Sequence, residues 1–182
     1  MGAHISRAGE VQAVLDGVRR IVHALRASSR RAEQDYGLSG AQLFVLQRLA
    51  DAPALSVNEL AARTHTHQSS VSTVVAKLVE KGLVRRTAAA DDARRVELAL
   101  APRARRLVAR GPDLAQARLV QGVEQLTPAR RGQLAATLAE LARAMDADAT
   151  PPRMFFEDRA HRVPRLAGAR GAGAAGRTGR TA

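Results

Sequence analysis

The sequence predicts a mainly α-helical chain with one small β-hairpin, in the order of a winged helix-turn-helix set between terminal helices. Three observations carry this. Apolar residues recur at spacings of three and four through most of the chain. That rhythm gives way to alternation over residues 83–100 and then returns. Just before the change, a short helix and a longer one are separated by only a brief turn.

Residues 8–33 form the first helix. Val11, Val14, Leu15, Val18, Ile21, Val22 and Leu25 make one stripe, and Tyr36-Gly37 closes the segment. Such a stripe covers the chain's own core or meets a partner subunit. A second helix runs from about 40 to 51. Ser39 with Gln42 three residues on is a capping box, and Leu38 stands before it as a staple. Residues 50–55, with Pro53, are expected to be a loop. The third helix, 56–64, begins with a second capping box, Ser56 and Glu59. His65-Thr66 is the turn. A fourth helix, about 67–81, buries Val71, Val74, Val75 and Leu78, and Gly82 sits at its C′ position.

Val84-Arg85-Arg86-Thr87 is strand-like, and Ala90-Asp91-Asp92-Ala93 is turn-like. Val96, Leu98 and Leu100 then alternate with polar or small residues, which gives a hairpin over 83–100. Helix resumes at Pro102, breaks at Gly111-Pro112 and continues to about Leu126. Thr127-Pro128 is an N-cap and first-turn pair for a last helix, 128–147, with Leu134, Leu138, Leu141 and Met145 on one face. Residues 150–182 carry seven Arg against Glu157 and Asp158 amid Ala and Gly. This stretch is expected to be a mostly disordered basic tail, except that Met154-Phe155-Phe156 could dock.

Composition narrows the function. The 182 residues hold no Cys, which excludes disulfides, thiolate metal sites, cysteine nucleophiles and thiol redox sensing. No run approaches the length of an apolar membrane span, and the N-terminus has no apolar signal core, so a cytoplasmic protein is expected. The net charge of +12 points to a polyanion. All but two of the 29 basic residues are Arg, as a GC-rich genome would give. That bias explains Arg in place of Lys, not the excess of base over acid. Aromatics are confined to Tyr36, Phe44, Phe155 and Phe156, too few for the stacking platforms of single-strand and RNA binders, so duplex DNA is the expected partner.

The physical logic of the centre fits that partner. A short helix bracing a second one through a tight turn lets the second enter the major groove while its valine face stays in the core. With Val71 and Leu78 inward, Ser69, Ser70, Thr73, Ala76 and Lys77 are expected to face outward. Gln68, Ser69 and Ser70 lie at the helix N-terminus, where amides and the dipole favour phosphate. Any amphipathic helix has a polar face, so the hairpin that follows strengthens the reading.

Several separate motifs occur in order: Leu55-Ser56-Val57-Asn58-Glu59-Leu60-Ala61, His67-Gln68-Ser69-Ser70-Val71-Ser72, Leu78-Val79-Glu80-Lys81-Gly82-Leu83-Val84-Arg85-Arg86, and Asp92-Ala93-Arg94-Arg95 before Leu98-Ala99-Leu100. Over about residues 8–147 the chain resembles the MarR family of bacterial transcriptional regulators. The resemblance implies one domain over 8–149. Its winged lobe spans about 38–101, and its dimerisation helices about 8–33 and 102–148. It also implies a homodimer on a near-palindromic operator, a nucleoid setting, and a repressor released by a small-molecule effector bound between dimerisation helices and DNA-binding lobe. By that resemblance the DNA-binding residues are Gln68, Ser69, Ser70, Ser72, Thr73 and Lys77 on the helix and Arg85, Arg86, Asp92, Arg94 and Arg95 on the wing, Asp92 bracing Arg94 in the minor groove. No cofactor or metal is implied.

This chain departs from the family pattern at His65, where Gly is usual, at Thr66 and His67, and at Ala101 and Ala104. His65 and His67 form an H-x-H, but a zinc site needs more ligands. Asp91-Asp92 is more simply a wing tip paired with arginines than an acid/base couple. No catalytic motif is present, and Gly171 to Gly176 lacks the strand-helix context of a nucleotide site. Two rival readings remain: a sequence-neutral architectural DNA-binding protein, and a winged helix that binds protein.

Overall fold

A computed structural model describes residues 6–52, 55–89, 96–149 and 152–157. Seven helices and one hairpin follow in order among them: α1 (Arg7–Tyr36), α2 (Gly40–Asp51), α3 (Val57–Thr64), α4 (Gln68–Glu80), β1 (Val84–Ala88), β2 (Val96–Leu100), α5 (Pro102–Val108), α6 (Ala115–Glu124) and α7 (Pro128–Ala144). This is a mainly helical winged helix-turn-helix, as the sequence predicts.

The starts and stops follow local chemistry. Ser39 and Ser56 each accept the backbone N–H three residues on, and Gln42 and Glu59 accept the cap N–H in return. Gly37 and Gly82 take left-handed φ of 64° and 65°, which a Cβ would oppose. α1 continues to Tyr36, past the expected end at 33, because the polar run after Arg30 has nothing to break it. The break expected at Gly111-Pro112 divides the stretch 102–126 into α5 and α6. At the Gly111-Pro112 break, the freed carbonyls of Arg110 and Pro112 accept from Tyr36 Oη at 2.8 Å and Gln47 Nε2 at 2.9 Å.

α2 is the central helix. Leu43, Phe44, Val45 and Leu46 are fully buried, and α1, α3, α4, α5 and β2 all pack on it. Gly40 permits the close approach of α1: a Cβ there would lie 3.2 Å from the Ser29 Cβ, and Ser29 Oγ accepts the Gly40 N–H. β1 and β2 pair antiparallel from Val84↔Leu100 to Ala88↔Val96. Leu55, expected in a loop, makes an isolated bridge to Leu98, whose N–H donates to the Leu55 carbonyl at 2.8 Å. One residue offers no period to read, so this third element was invisible in the sequence. Ala104, a departure from the family pattern, is fully buried and belongs to the core that α2 centres.

Two helices are not satisfied by this core. The stripe Val11, Val14, Leu15, Val18, Ile21 and Val22 is exposed, and only Leu25, Ser29 and Ala32 of α1 are buried. No residue of α7 is buried, and its Leu134, Leu138 and Leu141, with Met145 at its C-cap, face open space. Of the apolar triplet set apart from the basic tail, Met154 does dock: it is buried and joins the core.

Candidate nucleic-acid interface

α4 is held on three sides. Val71, Val74, Val75 and Leu78 bury one stripe against α2, α3 and β1. At its C-terminal end Lys81 Nζ donates to the Gly37 carbonyl and to Gln42 Oε1, both at 3.0 Å. At its start the chain turns at His65, with φ 49° and ψ 43°. A glycine would take that geometry without cost. Here the residue is a histidine whose Nε2 lies 3.0 Å from Glu124 Oε1 of α6.

The N-cap is His67, whose side chain makes no cap hydrogen bond. Among the described residues the first-turn amides have no side-chain acceptor, and that end of α4 keeps its capacity for an anion. Gln68, Ser69 and Thr73 are exposed, with Ala76 beside them, and Ser72 is half-buried at the margin. Thr73 Oγ1 donates to the Ser69 carbonyl at 3.1 Å, so its hydroxyl presents lone pairs outward.

Two residues expected on the outward face stand elsewhere. Ser70 is buried, at 6 % exposure. Lys77 is half-buried, and its Nζ donates to the Glu157 carbonyl at 3.4 Å. The two are seven residues apart and share a flank of α4, between its core stripe and its outer face. A helical wheel puts that flank at the edge of the polar sector. Lys77 is met there by Glu157, 80 residues away in sequence, a contact that no local pattern announces.

On the hairpin, Arg85 and Arg86 are exposed on β1. Asp92, Arg94 and Arg95, with the Asp91-Asp92 pair, lie outside the described residues. Beside the turn between α3 and α4 is a cavity of ≈570 Å³, walled by Ala61, Thr64, His67, Gln116, Val120 and Met154 among others. Among the described residues no cluster of three or more His, Asp or Glu has metal-binding placement, and no helix is long and apolar enough to cross a membrane.

Residues 36–95 match the model of the MarR family. No curated protein has a significant sequence match to the chain. Among solved structures, the transcriptional regulator BldR from Sulfolobus solfataricus is 22% identical over 76% of this chain and 99% of its own, with a TM-score of 0.49. A MarR-family regulator from Silicibacter pomeroyi is 25% identical over 80% and 96%, at 0.46. The S. aureus MepR-DNA complex is 23% identical over 70% and 94%, at 0.47.

Proposed function

We propose that this chain, a member of the MarR family by the match over its winged helix, is a sequence-specific duplex-DNA-binding transcriptional regulator that acts as a homodimer. The observation that carries the DNA reading is the exposed polar face of α4, with Gln68, Ser69 and Thr73 beside first-turn amides that no side chain caps. Small uncharged side chains let the helix approach base edges closely, and the amides hold a phosphate. Arg85 and Arg86 supply the wing, and the family resemblance assigns Asp92, Arg94 and Arg95 to it as well. Lys77 is left to the flank of the helix, and Ser70, being buried, is not assigned a base.

The homodimer reading is supported by the bare apolar faces of α1 and α7. A helix of 17 residues that buries none of its own side chains gains little stability from propensity alone. A second copy covers both stripes by two-fold symmetry and presents two α4 helices to one duplex. A repressor released by a small molecule is the regulatory form we infer, and the cavity beside the α3–α4 turn is the space open to such an effector. No catalytic role is assigned to any residue.

The deciding experiment is selection of bound sequences from a random duplex pool. A near-palindrome with half-sites about 10 bp apart, or a small multiple, supports the proposal. Even enrichment of all sequences makes the chain an architectural DNA-binding protein instead. Absence of salt-dependent duplex binding makes its winged helix a protein-binding module.

A further inference from the structure

α3 and α4 pack chiefly on α2, on each other and on β1, whereas α1 and α6 pack on each other and on α2. Residues 152–157 lie between these two groups. Met154 is buried in the common core, and it walls the ≈570 Å³ cavity together with Ala61 and Thr64 of α3 and Val120 of α6. Phe156 reaches the other side, lining a small void with Leu25 of α1 and Leu114. The Glu157 carbonyl takes the Lys77 ammonium of α4. Two further links join the groups: Lys81 Nζ donates to the Gly37 carbonyl at the end of α1, and His65 meets Glu124 between two exposed side chains screened by solvent.

We propose that residues 152–157 are a strap that fastens the helix-turn-helix to α1 and α6, and that its release loosens α4 while leaving the α2-centred core folded. Three features make it releasable. Its apolar anchorage rests on the buried Met154 and the half-buried Phe156, while Phe155 is 48 % exposed. Phe156 is held at φ 62°, a left-handed conformation that a bulky residue leaves when nothing enforces it. What enforces it is a one-turn clasp, in which Glu157 N–H donates to the Met154 carbonyl and Met154 N–H donates to Glu157 Oε2. Finally, the seat is incompletely filled. Gln116 lines both the cavity on one side of Met154 and the void beside Phe156, so neither side of the strap is closely packed.

The inference needs no DNA, so its test stands apart from the proposed function. The chain contains no Trp, so Phe155→Trp in the full-length protein puts a single indole on the strap, at a half-exposed position beside free space. Adding Met154→Asp should move the emission to the red and raise acrylamide quenching. Amide exchange over 68–80 should then speed about ten-fold or more, while exchange over α2 holds. Met154→Ala should move both readouts the same way by less, and Met154→Leu, which conserves volume, should move neither. Two results overturn the strap. In one, the indole is released but exchange over 68–80 is unchanged. In the other, exchange rises evenly over α2, α4 and α6 in both the Asp and Ala variants, which makes Met154 an ordinary core residue.

Discussion

Replacing Ile21 tests the homodimer directly. Ile21 sits toward the C-terminal end of the bare α1 stripe and is 47 % exposed. Full burial of such a side chain gives roughly 1.5–3 kcal/mol, so about 1 kcal/mol remains to be gained in each protomer. A two-fold seam counts every residue twice, so Ile21→Ala should weaken the dimer by about 1–2 kcal/mol, roughly 5- to 30-fold in dissociation constant. Ile21→Asp adds a carboxylate to each side of the seam. Each carries a desolvation cost of several kcal/mol, and the two repel. That variant should be monomeric at concentrations where the parent is fully dimeric. Val79→Asp is the control: Val79 is also an exposed apolar residue, but it stands on α4 outside the stripe. Sedimentation equilibrium over a dilution series reads all three variants. A dimer that survives Ile21→Asp, or an equal loss in Val79→Asp, refutes the assignment of α1 to the seam.

Four further predictions concern the DNA face and its support. Arg86→Ala should lower affinity for operator and random duplex alike and reduce the salt slope by about one; a change confined to the operator would move Arg86 to base reading. Thr73→Val keeps the shape but removes the outward lone pairs, so it should alter preference at one base position more than total affinity, as read by competition among single-base operator variants. His65→Gly relieves the left-handed cost of about 1–2 kcal/mol, loses a weak solvent-exposed contact and gains chain entropy on unfolding, so its urea midpoint should stay within about 1 kcal/mol of the parent. His65→Val should lose about 1–2 kcal/mol, and a larger loss for Gly than for Val would show that Glu124 dominates at this turn. Ending the chain after Pro164 removes Arg165, Arg170, Arg177 and Arg180 but keeps residues 152–157. The salt slope on any duplex should then fall by up to about 3–4 with the dimer intact, whereas an unchanged slope would make those arginines inert.

The sequence by itself determined everything that depends on near neighbours. The two capping boxes, the glycines after α1 and α4, the break at Gly111-Pro112 and the Thr127-Pro128 start are each decided within four residues. So is the alternation that makes a hairpin of 83–100. Hydrophobic periodicity identified the inward stripe of α4 and the stripes of α1 and α7, because 3.6-residue geometry fixes which side chains share a face. Which of those stripes the chain covers for itself was decided only by tertiary structure. Val71 and Val14 obey the same periodic rule, yet the first is fully buried and the second 54 % exposed, since only the first has α2 across from it. The single bridge from Leu55 to Leu98 depends on a strand more than 40 residues further along the chain. Ser70 and Lys77 look like groove residues on a wheel, but Ser70 is buried and Lys77 donates to the Glu157 carbonyl, 80 residues further along the chain. A helix's own sequence specifies its faces. The chain that arrives from elsewhere specifies which of them are left to meet another molecule.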